Sequence, residues 1–183
     1  METGKQNDKL EKNIVDQIKE AQLKLGFVRE TMRLYYPPES LQAILGLPVA
    51  SSRMSAAEVE QLCQQLGKEF PAFTFGQHEG RIEVCVPPSY VEWVHKEVET
   101  PAFLSELIEQ FQDNHHLTKE QLQEIFSRYG DFVCEQMPEG TDFDFVFYFE
   151  NPMVDEYYYC VRMEMGHTIY HRFLKADYEQ LLV

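Results

Sequence analysis

The sequence predicts an α+β protein in which an antiparallel sheet packs against several amphipathic helices. Three observations predict it. Phe143, Phe145, Phe147 and Phe149 alternate with Asp142, Asp144, Val146 and Tyr148 at the period of a β-strand, giving one face that needs a thick apolar cover. Apolar stripes of helical period recur through residues 8–129, three of them opened by a Ser/Thr-x-x-Glu/Gln signature. The last third then reads as consecutive strands separated by Asn151-Pro152 and Gly166, as a meander would be.

Taken in order, Leu10, Ile14, Ile18, Ala21 and Leu25 form one stripe and predict a helix over 8–25, stopped by Gly26. Met32–Tyr36 reads as a short extended piece closed by Pro37-Pro38. Residues 40–45 read as a short helix ending at Gly46, and Ser51-Ser52 as a loop. Ser55-Ala-Ala-Glu58 is a capping box, opening a helix with Val59, Leu62, Cys63 and Leu66 inward and Gly67 as its stop. A hairpin follows, 72–75 with 81–86, turned around His78-Glu79-Gly80. Ser89-x-x-Glu92 reads as a second capping box for a helix through Val98, and Thr100-Pro101 opens the next, with Phe103, Leu104, Leu107, Ile108 and Phe111 inward. Thr118-x-x-Gln121 is the third box, with Leu122, Ile125, Phe126 and Tyr129 inward and Gly130 as the stop. A three-stranded meander, 141–149, 156–165 and 167–173, precedes a closing helix over 176–182.

At 183 residues the chain fits one domain, 1–183, or two lobes, 1–99 and 100–183. An offset of 63 aligns Ser55 with Thr118, Leu62 with Ile125, Gly67 with Gly130, and Ile82, Val84 and Val86 with Phe145, Phe147 and Phe149. Residues 55–86 and 118–149 therefore match as a duplication would leave them, although amphipathic segments match each other easily.

Net charge is −15, and residues 131–183 carry eleven acids against three bases, a net of −8. Such a field repels phosphate backbones, so no nucleic-acid partner is expected. No apolar run approaches the ~20 residues of a membrane span, and the first residues lack the apolar core of a signal peptide. The expected setting is the cytoplasm, with no membrane partner. Cys63, Cys85, Cys134 and Cys160 are scattered and read as reduced thiols.

Arg33-Leu-Tyr-Tyr-Pro-Pro-Glu-Ser-Leu41, Tyr157-Tyr-Tyr-Cys160 and His167-Thr-Ile-Tyr-His-Arg-Phe173 together resemble a family of similar length from clostridia and related Firmicutes, catalogued as a domain of unknown function. The resemblance covers most of the chain. It implies a bacterial, single-domain protein and assigns no catalytic residue.

No Gly-x-Ser-x-Gly elbow, phosphate loop or dinucleotide fingerprint occurs, and neither a catalytic residue nor a cofactor is expected. His167 and His171 would have metal-ligand spacing on a helix, but His-Thr-Ile-Tyr-His reads as strand, where they stand ~13 Å apart, so no metal is expected. His115-His116 read as partners of a helix C-terminus. Residues 101–113 and 118–129 have the outline of a winged helix-turn-helix, but the charges of the second helix cancel. A helical hairpin supporting the sheet accounts for them better.

The meander's second face is the most distinctive surface. With Tyr157, Tyr159, Val161 and Met163 facing the phenylalanines, Tyr158, Cys160, Arg162 and Glu164 point away. With Ile169 and Phe173 also inward, Thr168, Tyr170 and Arg172 join them. Tyr158, Arg162, Glu164, Tyr170 and Arg172 are then the candidate ligand-binding group, since arginine captures carboxylate or phosphate in a fork. Cross-strand pairing of either arginine with Asp144 or Glu164 accounts for the same residues without a ligand. The tyrosine-rich meander points to a non-catalytic module that binds a protein partner or a second copy of itself. The alternative is an enzyme or small-anion binder using the Arg/Tyr face.

Overall fold

The structure, a computed structural model, describes residues 2–48 and 54–182, so the loop read at Ser51-Ser52 lies outside the described residues. Among the described residues the chain is α+β, with seven helices and two antiparallel sheets of three and four strands. It divides into two compact units, 1–99 and 100–183.

The first unit holds α1 (Glu2–Leu25), β1 (Met32–Tyr36), α2 (Pro38–Ile44), α3 (Ala56–Glu69), β2 (Thr74–His78), β3 (Arg81–Val86) and α4 (Pro88–Glu97). Its sheet has the order β1-β3-β2. Leu34, Tyr36, Ile82, Val84 and Val86 fill the buried face, and Leu10, Ile14 and Ile18 of α1 are buried as their spacing requires. Inside the unit the Tyr36 hydroxyl donates to Asn13 Oδ1 (2.9 Å) and accepts from Gln17 Nε2 (2.9 Å), while Gln17 also donates to Asn13 (2.8 Å). Three polar side chains are thus satisfied by one another.

The second unit holds α5 (Ala102–Asp113), α6 (Lys119–Ser127), β4 (Phe132–Gln136), β5 (Phe145–Phe149), β6 (Tyr157–Glu164), β7 (His167–Leu174) and α7 (Lys175–Leu181), with strand order β4-β5-β6-β7. The meander therefore has four strands, not three. β4 escapes sequence reading because Phe132, Val133 and Cys134 are a short apolar run without alternation. α5 and α6 supply Phe103, Leu107, Leu122, Ile125 and Phe126 to the first sheet face, against Phe147, Phe149, Tyr157, Tyr159 and Val161. Phe103 meets Phe126, Phe149 and Tyr159 edge-on at centroid distances of 4.8, 4.7 and 5.5 Å, the arrangement ring quadrupoles favour. The helical-hairpin reading of these two helices holds.

Phe143 departs from the expected phenylalanine face. Regular pairing of β5 begins at Phe145, and Asp144 turns its carboxylate to the Met163 amide (2.6 Å). Phe143 then packs on the opposite side, against His171 and Phe173.

The helix signals held where side chains could reach backbone. Ser55–Glu58 and Thr118–Gln121 form complete capping boxes. Ser89–Glu92 does not: α4 starts on Pro88, whose fixed φ suits the first helical position, and Glu92 pairs instead with Arg29 (3.0 Å) and Lys96 (2.7 Å). α3 also runs through Gly67 to Glu69, because its stop is Phe70, held out of the helical region by Pro71. Likewise α6 ends at Ser127, ahead of Gly130. Replacing Ser55 or Thr118 with alanine should cost about 0.5–2 kcal/mol in denaturant unfolding. Ser89→Ala should stay within about 0.5 kcal/mol.

Both units contain a capped helix followed by a hairpin whose second strand is internal to its sheet, α3-β2-β3 and α6-β4-β5. The offset of 63 superposes the helix starts and the second strands, but β4 begins closer behind its helix than β2 does.

Candidate functional site

The four-stranded sheet has a second face, made by the side chains that alternate away from α5 and α6. Met137, Val146 and Cys160 are buried there, with Phe143, Tyr148, Tyr158, Phe173 and Tyr178 packed around them. Tyr148 on β5, Tyr158 on β6 and Tyr178 on α7 form a row of near-parallel rings, 4.4 Å then 4.6 Å between centroids. All three are half-buried. α7 itself buries no residue and lies against β6 and β7. Glu135 on β4 stands opposite Val146, two residues along from the Val133–Tyr148 pair and on the same face, and so lies near the Tyr148 end of the row. Burial raises the Tyr148 hydroxyl above the ordinary tyrosine range, and the Glu135 carboxylate adds to it. Burial raises Tyr178 too, with Cys160 and Glu135 adding. Burial pushes the Cys160 thiol up to about 12, so it is a protonated packing group rather than a nucleophile. Ile169 on β7 shares this face and is 49% exposed, an apolar side chain without full cover.

The five candidate residues do not form one face. Tyr158, Arg162 and Glu164 lie on the second face, whereas Tyr170 and Arg172 lie on the helix-covered one, paired with Val161 and Tyr159. The hairpin turn decides this. Met165 (φ 51°) and Gly166 (φ 80°) make a two-residue turn that pairs Glu164 with His167. His167, Ile169, His171 and Phe173 must then share the face of Glu164, the reverse of the parity that the hydrophobicity of Ile169 and Phe173 predicts. The two-residue turn was the signal in the sequence that could have fixed it.

Arg162 pairs with Glu164 at 2.8 Å on an exposed stretch. Arg172 lies 4.1 Å above the Tyr157 ring, and Tyr170 packs on Phe111 (4.8 Å). Each arginine therefore has a partner within the unit. Arg162→Gln should change stability by less than about 1 kcal/mol. Arg172→Gln should cost more, up to about 2 kcal/mol, because it removes a cation from a ring face. Thermal melting of both variants measures this. Adding phosphate, nucleotides or small carboxylates should leave the wild-type melting point in place, whereas a shift abolished in both variants would restore the anion-site reading.

His115 and His116 serve a different purpose from the expected helix-end contact. His116 Nδ1 meets the Gly166 carbonyl, its ring lies 5.0 Å from that of His167, and the Thr168 amide donates to the His115 carbonyl (2.8 Å). The α5–α6 loop thereby covers part of the open edge of β7. Among the described residues no group of three or more His, Cys, Asp or Glu is placed to hold a metal ion.

Two other surfaces carry charge. A shallow cleft at the end of α6 is lined by residues 127–132 and Glu150, but its Arg128 is already paired with Glu106 and Glu124. On the open face of the three-stranded sheet, Glu83 accepts from Tyr35 (3.0 Å) and Arg33 (3.1 Å). The Tyr35 hydrogen bond, then Arg33, hold the Glu83 carboxyl below the ordinary range against the opposing effect of desolvation. In the cleft the lining arginine is thus engaged by two carboxylates, and on the sheet face Arg33 and Glu83 neutralise one another.

A family described as a domain of unknown function from an E. rectale gene, DUF3877, matches residues 7–182. No curated protein and no solved structure matches the chain. Among the described residues no helix is long and apolar enough to cross a membrane.

Proposed function

The chain belongs to the DUF3877 family, and within it we propose a cytoplasmic, non-catalytic bacterial module that binds a protein partner through the second face of its four-stranded sheet. One observation carries this reading. The stacked row Tyr148–Tyr158–Tyr178 is half-buried, on the same sheet face as the incompletely covered Ile169, which stands opposite Arg162 farther along β6. Tyrosine supplies large contact area at low entropic cost and keeps a polar tip for the rim of an interface. A sheet whose other face is already filled by α5 and α6 does not need a second aromatic layer for its own core.

The test is capture from a lysate of the source organism with three baits: wild type, Ile169→Asp and Glu109→Gln. Ile169 is exposed enough that aspartate should be tolerated in the fold, and Glu109 is an exposed residue of α5, on the helix-covered side. A partner retained by wild type and Glu109→Gln but lost from Ile169→Asp supports the reading. Partners that ignore Ile169→Asp, or none at all, argue against it. Sedimentation of the purified protein across a wide concentration range covers the case where the partner is a second copy.

A further inference from the structure

We propose that the outer edge of β4 pairs with β4 of a second copy of the chain, joining two four-stranded sheets antiparallel about a twofold axis at Cys134. The two edges of the sheet are not alike. Along β7 the Thr168 amide donates to the His115 carbonyl (2.8 Å) and the Thr168 hydroxyl to the Leu117 carbonyl (2.7 Å), so the α5–α6 loop stands where a further strand would. Among the described residues β4 pairs with β5 alone. The Glu150 amide donates to the Asp131 carbonyl (3.0 Å) and the Met137 amide to the Asp144 carbonyl (2.9 Å), which makes the odd positions of β4 the ones bonded to β5. Phe132, Cys134 and Gln136 therefore turn their backbone N–H and C=O groups to the outer edge. β4 has no proline or lysine to blunt that edge, and its first three residues, Phe132, Val133 and Cys134, are apolar and half-buried.

Charge selects the register. With the axis at Cys134, that residue faces its own copy and Phe132 faces Gln136, so all three outward residues exchange hydrogen bonds. The same register sets Glu135 opposite Val133 and Asp131 opposite Met137, and no carboxylate faces another. Moving the axis to Val133 would set Glu135 against Asp131, and moving it to Glu135 would set that carboxylate against itself. A chain of net charge −15 repels its own copy at long range, and only the Cys134 axis among these three avoids repulsion at contact. Gly130 and Pro138 bound the paired stretch.

Sedimentation velocity of the full chain, from about 10 μM to about 1 mM in salt that screens its net charge, reads this directly. Wild type should pass from monomer to dimer and stop there, because a twofold edge closes on itself. Val133→Lys sets a lysine against Glu135 twice across the axis, and Val133→Glu sets a glutamate there. The first should tighten the dimer and the second weaken it, each by about fivefold, an opposition that loss of folding cannot produce. Glu109→Gln changes the net charge as much as Val133→Lys and should leave the dimer within about twofold. Cys134→Pro removes an outward N–H and no bond to β5, and should abolish the dimer. On a Cys134→Ala background, mixing Val133→Cys chains with Glu135→Cys chains should give a disulfide-linked dimer, since these positions stand ~4.5 Å apart at Cα in this register. Monomer throughout, a dimer indifferent to both Val133 substitutions, or cross-linking equal with and without mixing would each overturn the proposal. A dimer lost in Ile169→Asp but kept in Cys134→Pro would overturn it too, and would place the second copy on the second sheet face instead.

Discussion

Phe147→Ala should lower the stability of the second unit by about 3–5 kcal/mol, the largest effect expected of any single truncation in it. Phe147 is fully buried on the first sheet face, with the Phe126 ring 5.1 Å and the Phe132 ring 6.4 Å away. Removing it leaves a cavity lined by rings, which rotate into a void poorly because they interlock edge-on with Phe103 and Tyr159. Phe145 is only half-buried, with Lys119 over its ring, so Phe145→Ala should cost distinctly less. Urea unfolding followed by circular dichroism measures both. A loss below about 1 kcal/mol for Phe147→Ala would place the core elsewhere.

In the first unit, Tyr36→Phe should cost about 1–3 kcal/mol although it deletes a single oxygen. The hydroxyl gives a proton to Asn13 and takes one from Gln17, and both partners would lose a bond inside the fold. Burial, and then the nearby Asp16 carboxylate, raise the Tyr36 hydroxyl far above the ordinary tyrosine range. The sign of the pH dependence follows. The folded state holds this proton more tightly than the unfolded state, so its contribution is complete below the unfolded value of ~10 and declines as pH rises beyond it. Tyr36→Phe should therefore remove part of the alkaline loss of stability. Trp93, the single tryptophan, lies on α4 of the same unit and reports on it by fluorescence. Equal stability of Tyr36→Phe and wild type at neutral pH would mean that the hydroxyl is satisfied by solvent instead.

Local signals in the sequence carried most of the architecture. Two capping boxes, the glycine turns and the alternation of Phe145, Phe147 and Phe149 each specify backbone through contacts a few residues apart. The failures came where a neighbour in sequence competed with the motif. Pro88 preset the start of α4 and made Ser89 unnecessary as a cap, and Pro71 rather than Gly67 ended α3. β4 was invisible because its strand character comes from pairing with β5, from Phe132 opposite Phe149 to Gln136 opposite Phe145.

The candidate surface was half legible for a similar reason. The parity of β6 follows from its own residues, and Tyr158, Arg162 and Glu164 stand where it puts them. The parity of β7 is imposed by the Met165-Gly166 turn, and reading Ile169 and Phe173 as core residues inverted it. Tyr178 could not be assigned to the face at all, since it arrives from α7 by tertiary packing.

Hydrogen exchange on the complex with a captured protein partner tests the central claim most directly. Binding through the second face should slow exchange in peptides spanning β5, β6, β7 and α7 and leave those of the first unit unchanged. Slowing confined to the first unit, or to α5 and α6, would contradict it.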